Sequence, residues 1–569
     1  MSAAYDLVIK GGRIVDGSGA APYFADLAVK DGVIAAIGVI DETAATIIDA
    51  TGRIVTPGFV DPHTHYDGQA IWSDRLSPSS SHGVTTVITG NCGVGFAPCR
   101  ASDREMLINV MEGVEDIPGV VMADGLSWDW ESFPDYLDAL DRTPHDIDVA
   151  ALLPHSPLRV YVMGERGANR EDASADDLAR IRQLAREAVE AGAIGVATSR
   201  LLIHRTADGD AIPSFDAGCD ELKALTGGMA DAGGGIFQIV PNMFNPLAEE
   251  YALIEEVAAA TGQPATITLG TANEGPPNWP AALEAMEGAA ARGVNLTAQV
   301  LPRPVGLIQG LDLSIHPFAL CPSYASIASL PLEERVAAMR EPAMREALLS
   351  EQPDPGHPLA QMGRNWEWLF PFAGQPDYAP PKSHSIAEQA RRANVAPEVI
   401  AYDWLTQGKG DNFLFLALGN YYDGALDTVK ALLDREDCIV GLGDGGAHYA
   451  AICDASYPSF LLTHWVRDAN GSGWSIEQAV HMLSRKPALT MGLGDRGLLA
   501  PGYKADINVI DLDRLELALP HIVHDLPAGG KRLDQRAKGY DATIVSGTII
   551  RRHDEDTGAR PGKLVRGAR

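Results

Sequence analysis

Three short stretches carry side chains that can do chemistry. The first is Pro62-His63-Thr64-His65-Tyr66-Asp67. Two histidines separated by one residue, at the end of an extended run, send their imidazoles the same way. A divalent metal such as zinc needs that arrangement. The second is Gly90-Asn91-Cys92-Gly93, which offers a thiolate, and the third is Gly443-Asp444-Gly445-Gly446-Ala447-His448, which offers a carboxylate and a further imidazole. Taken singly, each has a plainer explanation. A His-x-His pair is a common accident, a buried Asp after a strand is usually a cap or an ion-pair partner, and a free cysteine is usually a small core residue. Brought to one rim, they make a site that binds a metal and activates water.

The elements that must position them are legible as eight short β-branched runs separated by helical patterns: Gly58–Asp61, Val84–Thr89, Asp148–Leu153, Ala193–Thr198, Gly235–Val240, Ala265–Leu269, Val294–Val300 and Cys438–Gly443. Eight is the number a closed parallel α/β barrel needs, and such barrels carry function at the C-terminal ends of their strands. The three stretches follow the first, second and eighth runs. His155 follows the third, and Arg200 and His204 follow the fourth. A helix is expected after Ser174, where Ser174 and Asp177 resemble a capping box and Leu178, Ile181, Leu184, Ala185 and Val189 recur on one face. Residues 58–494 are therefore read as a (β/α)8 barrel of the TIM type with insertions near 103–145 and 305–410. Phe413–Leu418 is a further strand candidate inside the long gap before the eighth run. Residues 1–57 and 495–569 read as short strands and turns, with Gly11-Gly12 as one turn, and together predict a small β-sandwich domain built from both ends of the chain.

The 569 residues carry 45 basic and 76 acidic side chains, a net charge of −31, which argues against nucleic acid and anionic membranes as partners. No apolar run is long enough to span a bilayer, and the first residues have no signal-peptide pattern. Six cysteines are too few for a disulfide framework, so a reducing, cytoplasmic setting is expected. His464 and His481 fall in helical contexts. His316, His357, His384, His521, His524 and His553 fall near Pro or polar turns and are expected at the surface.

Gly58-Phe59-Val60-Asp61-Pro62-His63-Thr64-His65 resembles the opening of the amidohydrolase superfamily, and Gly83–Gly93 looks like its N-acyl-D-amino-acid deacylase (D-aminoacylase) branch. Asp444 is similar to the superfamily's last-strand aspartate, and Gly497–Asp511 to its re-entry into the small β-domain. The resemblance implies a metal, Zn2+, held by His63, His65, Cys92 and Asp444, with Asp444 also moving a proton as base and then acid. It implies a small N-acylated substrate, an N-acyl-D-amino acid or related N-acylated amine cleaved at a linear C–N amide bond. A cyclic amide or small peptide is the alternative, and a non-catalytic binding relative the third reading. The chain departs from the family where histidines belong at the fifth and sixth strand ends: these read Phe237-Gln238-Ile239-Val240-Pro241-Asn242 and Thr268-Leu269-Gly270-Thr271. One metal rather than two is therefore expected, with His155, His204 or His448 available to fill in. Arg200 and Arg303 are candidates to hold a substrate carboxylate, with His155, His204 and His448 as further substrate contacts. A homo-oligomer is compatible with this reading.

Overall fold

The computed structural model describes residues 3–353 and 359–567; His357 lies outside them. The eight runs become eight parallel strands: β1 (Phe59–Asp61), β2 (Val84–Thr89), β3 (Asp148–Pro154), β4 (Gly195–Ser199), β5 (Ile236–Val240), β6 (Ala265–Thr268), β7 (Leu296–Val300) and β8 (Cys438–Val440). They pair in chain order from β1 to β8. The two ends of the row meet through backbone bonds just past the strands: Asp444 N–H donates to His63 O at 3.1 Å and His65 N–H to Gly445 O at 2.8 Å. These strands are buried on both faces, which is why they read as short runs rich in β-branched residues rather than as a strict apolar–polar alternation. Helix Ala175–Ala191 begins at the expected capping box, Ser174 with Asp177, and its five apolar positions are buried or half-buried.

Both ends of the chain build one nine-stranded mixed sheet. Ile54–Pro57 pairs antiparallel with Ile507–Ile510, and Tyr540–Val545 and Thr548–Arg552 extend the same sheet. Gly11-Gly12 is not a turn. Tyr5–Ile14 is one continuous strand, and the register shift between Ile9 and Gly12 is a bulge with Gly11 at φ +66°. Leu564–Val565 leaves this sheet and adds, parallel, to the lower part of β3.

Two excursions leave the barrel. Between β2 and β3 come helices Arg104–Glu115, Gly119–Gly125 and Phe133–Arg142. Between β7 and β8, Val305–Gln309, Phe413–Gly419 and Leu369–Phe372 form a separate antiparallel three-stranded sheet. Phe413–Leu418 is thus a strand, but not one of the barrel. His316 is not at the surface: it is 4% exposed, packs edge-to-face on Tyr324 and accepts from Phe318 N–H at 3.2 Å. All six cysteines are unpaired. Among the described residues no helix is long and apolar enough to cross a membrane.

Candidate metal and active site

The site begins at the end of β1. The strand stops at Asp61, so His63 and His65 lie on the turn after it rather than on extended backbone. They converge because the turn is pinned on three sides. Asp61 Oδ1 accepts from His63 N–H at 3.1 Å, Thr64 N–H donates to Ile88 O at 3.0 Å, and Asn91 Nδ2 donates to Thr64 O and Ile88 O. The imidazole centroids stand 5.4 Å apart. Gln299 on β7 accepts from His63 Nδ1 at 2.9 Å while its own amide N–H donates to Thr266. That bond places the ring proton on Nδ1 and leaves the Nε2 lone pair free.

Cys92 sits after β2 with φ +56°. Its loop is pressed onto the neighbouring strand: a Cβ on Gly90 would lie 2.2 Å from Leu152 O, so only glycine fits. Gln238 on β5 accepts the Cys92 backbone N–H at 3.0 Å. Asp444 follows β8. A Cβ on the preceding Gly443 would lie 2.0 Å from Asp61 Oδ2, so the approach of the two strand ends depends on that glycine.

His63, His65 and Cys92 thereby bring their ligand atoms within 4.8 Å of one another, and Asp444 approaches the two imidazoles. Cys92 Sγ is 3.4 Å from His63 Nε2 and 3.7 Å from His65 Nε2; Asp444 Oδ1 is 3.6 and 3.8 Å from the same nitrogens. Zinc bonds of about 2.0–2.1 Å to nitrogen and about 2.3 Å to sulfur, at tetrahedral angles, put ligand atoms roughly 3.3–3.6 Å apart. The spacings of the thiol and of the carboxylate to the imidazoles fall close to that range, while Asp444 stands outside the set of three whose atoms all lie within 4.8 Å of one another. Asp444 Oδ1 is buried with no hydrogen-bond partner, as a ligand atom would be. The set of two imidazoles, a thiol and a carboxylate suits a divalent metal such as zinc.

Burial dominates the electrostatics. It pushes the Cys92 thiol and the Asp61 and Glu115 carboxyls well above their usual ranges, and lowers His63 to about 4 and His204 to about 3. It pushes Asp444 up to about 7. However, 27% of the Asp444 side chain is open to the cavity, and water there draws its carboxyl back toward the ordinary range. A divalent cation among these groups favours their anionic forms and so opposes the burial effect.

A cavity of about 510 Å³ opens onto this cluster and is lined by His63, His65, Cys92 and Asp444, with His204 and His448 also on its wall. The other expected residues lie elsewhere. His155 is fully buried between Thr198 and Glu221, which also holds Arg159. Arg200 pairs with Glu250 at 3.0 Å. Arg303 is 0% exposed, bonded to Asp454 at 2.7 Å and stacked on Tyr378. All three are taken up in closed networks behind the wall. Asn242 is buried beside Glu250, to which its N–H donates.

Three residues of the site were not foreseen. Glu115, at the end of the first insertion helix, places Oε1 3.3 Å from His65 Nδ1 and Oε2 3.7 Å from His448 Nε2, and its carbonyl accepts from His448 N–H. No local pattern in Glu-Gly-Val-Glu-Asp marks it. Gln299 had one visible signal, an amide inside the otherwise apolar end of a barrel strand. Asp454 lines the cavity with its charge answered by Arg303.

A family model described as an amidohydrolase family matches residues 46–551. The chain belongs to the amidohydrolase family. It is similar to N-acyl-D-glutamate deacylase of Alcaligenes xylosoxydans xylosoxydans, 27% identical over 578 residues that cover all of this chain and 97% of that protein. It is also similar to D-aminoacylase of the same organism, 38% identical over 198 residues, 35% of this chain and 38% of that one. Among solved structures, N-acyl-D-glutamate deacylase from Bordetella bronchiseptica, complexed with zinc and a phosphonate inhibitor, aligns with a TM-score of 0.66 at 23% identity, over 99% of this chain and 100% of that one. As a member of that family it is a hydrolase acting on carbon–nitrogen bonds other than peptide bonds.

Proposed function

We propose that this amidohydrolase cleaves a linear C–N amide bond in a small N-acylated compound, an N-acyl-D-amino acid or a related N-acylated amine, at a single divalent metal, zinc, held by His63, His65, Cys92 and Asp444. The observation that carries the reading is the cluster of His63, His65 and Cys92, whose ligand atoms all lie within 4.8 Å of one another, with Asp444 Oδ1 3.6 and 3.8 Å from the two imidazoles, on the wall of the cavity. When bound, the metal supplies polarisation of a water and of the scissile carbonyl. The residues supply the rest. Gln299 holds His63 in the tautomer whose Nε2 is free, and Glu115 stands behind His65. With Asp444 Oδ1 turned into the cluster and buried, Oδ2 is the oxygen left to take the proton of the attacking water and return it to the leaving amine. The fifth and sixth strand ends, where the resemblance implies the family's other histidines, read Phe237–Asn242 and Thr268–Thr271 and contain none, which supports one metal rather than two.

The test is metal analysis beside turnover. Zinc-loaded protein is expected to hold about one ion per chain, and His63→Ala with His65→Ala to hold none. Asp444→Asn is expected to keep its fold and lose at least about 100-fold in turnover. Unchanged metal content in the double variant removes the metal site, and near-normal turnover in Asp444→Asn removes the proton-transfer role.

A further inference from the structure

The cavity that exposes the four donors has no positive wall. Among the described residues none of its lining side chains is lysine or arginine. Apolar side chains dominate instead: Leu201, Ile203, Met243, Phe244, Leu301 and Leu418. Three of these stand at the mouth as large apolar groups left open to solvent, Ile203 at 57%, Phe244 at 64% and Leu418 at 38% exposed. They come from three separate segments: the loops after β4 and β5, and the strand Phe413–Gly419. An apolar surface that runs from the floor of a cavity out over its rim fits an apolar ligand.

The nearby cations cannot be redirected to a ligand. Arg303 bonds the lining residue Asp454, but its guanidinium is enclosed, donating also to Cys453 O and Ser456 and covered by the Tyr378 ring. What the cavity meets at that place is Asp454, not the arginine. Arg200 is engaged by Glu250 and by Ala217 O. The carboxylates Glu115, Asp444 and Asp454 add to the wall. A carboxylate carried in beside the amide would lose its water and meet no lysine or arginine in return, only the His204 and His448 imidazoles and the Asn278 amide.

Resting on the amide-hydrolase reading above, we infer that the substrate is an uncharged acylated amine with an apolar acyl or aryl group, lacking the carboxylate of an N-acyl amino acid. Of the two substrate classes proposed for this site, the cavity fits the second.

A matched pair tests this: N-octanoyl-D-phenylalanine and N-octanoyl-2-phenylethylamine, identical except for the carboxylate, offered to the zinc-loaded protein. The uncharged amide is expected to have a kcat/KM at least about tenfold higher. The same order is expected when binding of the two compounds to the metal-free protein is measured by calorimetry. A preference for the acid in either measurement overturns the inference and leaves the amide-hydrolase reading standing. Hydrolysis of neither compound overturns both. Ile203→Arg, at the exposed rim, is expected to shift the kcat/KM ratio toward the acid by about tenfold, and an unmoved ratio would count against charge at this mouth as the selector.

Discussion

His63 and His65 are each backed by a different kind of group, and the difference has consequences. Gln299 can only accept from His63 Nδ1, so it selects one tautomer without adding charge. Glu115 faces both His65 and His448 and is itself almost fully buried. Partners behind a ligating imidazole commonly govern metal affinity by about 10–100-fold. Gln299→Leu is accordingly expected to weaken zinc binding by about tenfold or more without unfolding the barrel. Glu115→Gln is expected to do the same, and competition against a chelator of known affinity measures both. An affinity unchanged in both variants would reduce these contacts to packing. This is also the scale at which the sequence is most uneven. His63, His65, Cys92 and Asp444 are readable because each lies within a few residues of a strand end. Glu115 is not, because a helix from another part of the chain carries it there. His155, Arg200 and Arg303 invited a substrate role by the same strand-end logic. What the sequence does not display is that Glu221, Glu250 and Asp454 reach them first.

Among the elements, the join between β1 and β8 bears directly on the site. Gly443 allows Asp61 to lie against the eighth strand end, and the adjoining backbone bonds fix Asp444 relative to His63. Gly443→Ala places a methyl carbon 2.0 Å from a buried carboxylate oxygen. Backbone here must move, so this variant is expected to lose metal and to lose about 1–3 kcal/mol of stability, unfolding at a lower temperature; thermal melts followed by circular dichroism read the stability and metal analysis the site. A variant as stable and as metal-replete as the parent would show that the join tolerates slack. The eight barrel strands were legible because two-sided burial leaves short runs rich in β-branched residues. Gly11-Gly12 misled because glycine serves a bulge as readily as a turn. Phe413–Gly419 has the composition of a barrel strand, and only its antiparallel partners show where it belongs.

For the molecule as a whole, a buried charge cluster ties the barrel to the returning chain. Asp148 on β3 meets Arg496 at 2.7 Å and Lys504 at 3.0 Å, all three largely buried. Burial opposes ionisation of Asp148, but Lys504 and Arg496 outweigh it and hold its carboxyl below the usual value. A carboxyl lowered in the folded state contributes stability that is fully present above its unfolded value, about 3.9, and is lost as pH falls through the folded value. Asp148→Asn is therefore expected to cost about 1–3 kcal/mol near neutrality, since Arg496 and Lys504 lose one carboxylate but keep Asp495 and Asp506, and the cost should shrink as pH falls below about 4. Denaturant unfolding at a series of pH values checks both, and a pH-independent difference would mean that packing rather than charge is at stake.

Asn508 donates to Pro57 O across 451 positions of sequence, and the strands on either side of that bond share one sheet. At synthesis rates of about 5–20 residues per second, the opening strands wait roughly 20–90 seconds on the ribosome before their partners emerge. Through that interval the edge of Ile54–Pro57 and the apolar face that later covers Ile507 and Val509 have nothing native to pair with. Yield of the folded protein should consequently depend on chaperone supply and expression temperature more than on the stability of the finished molecule.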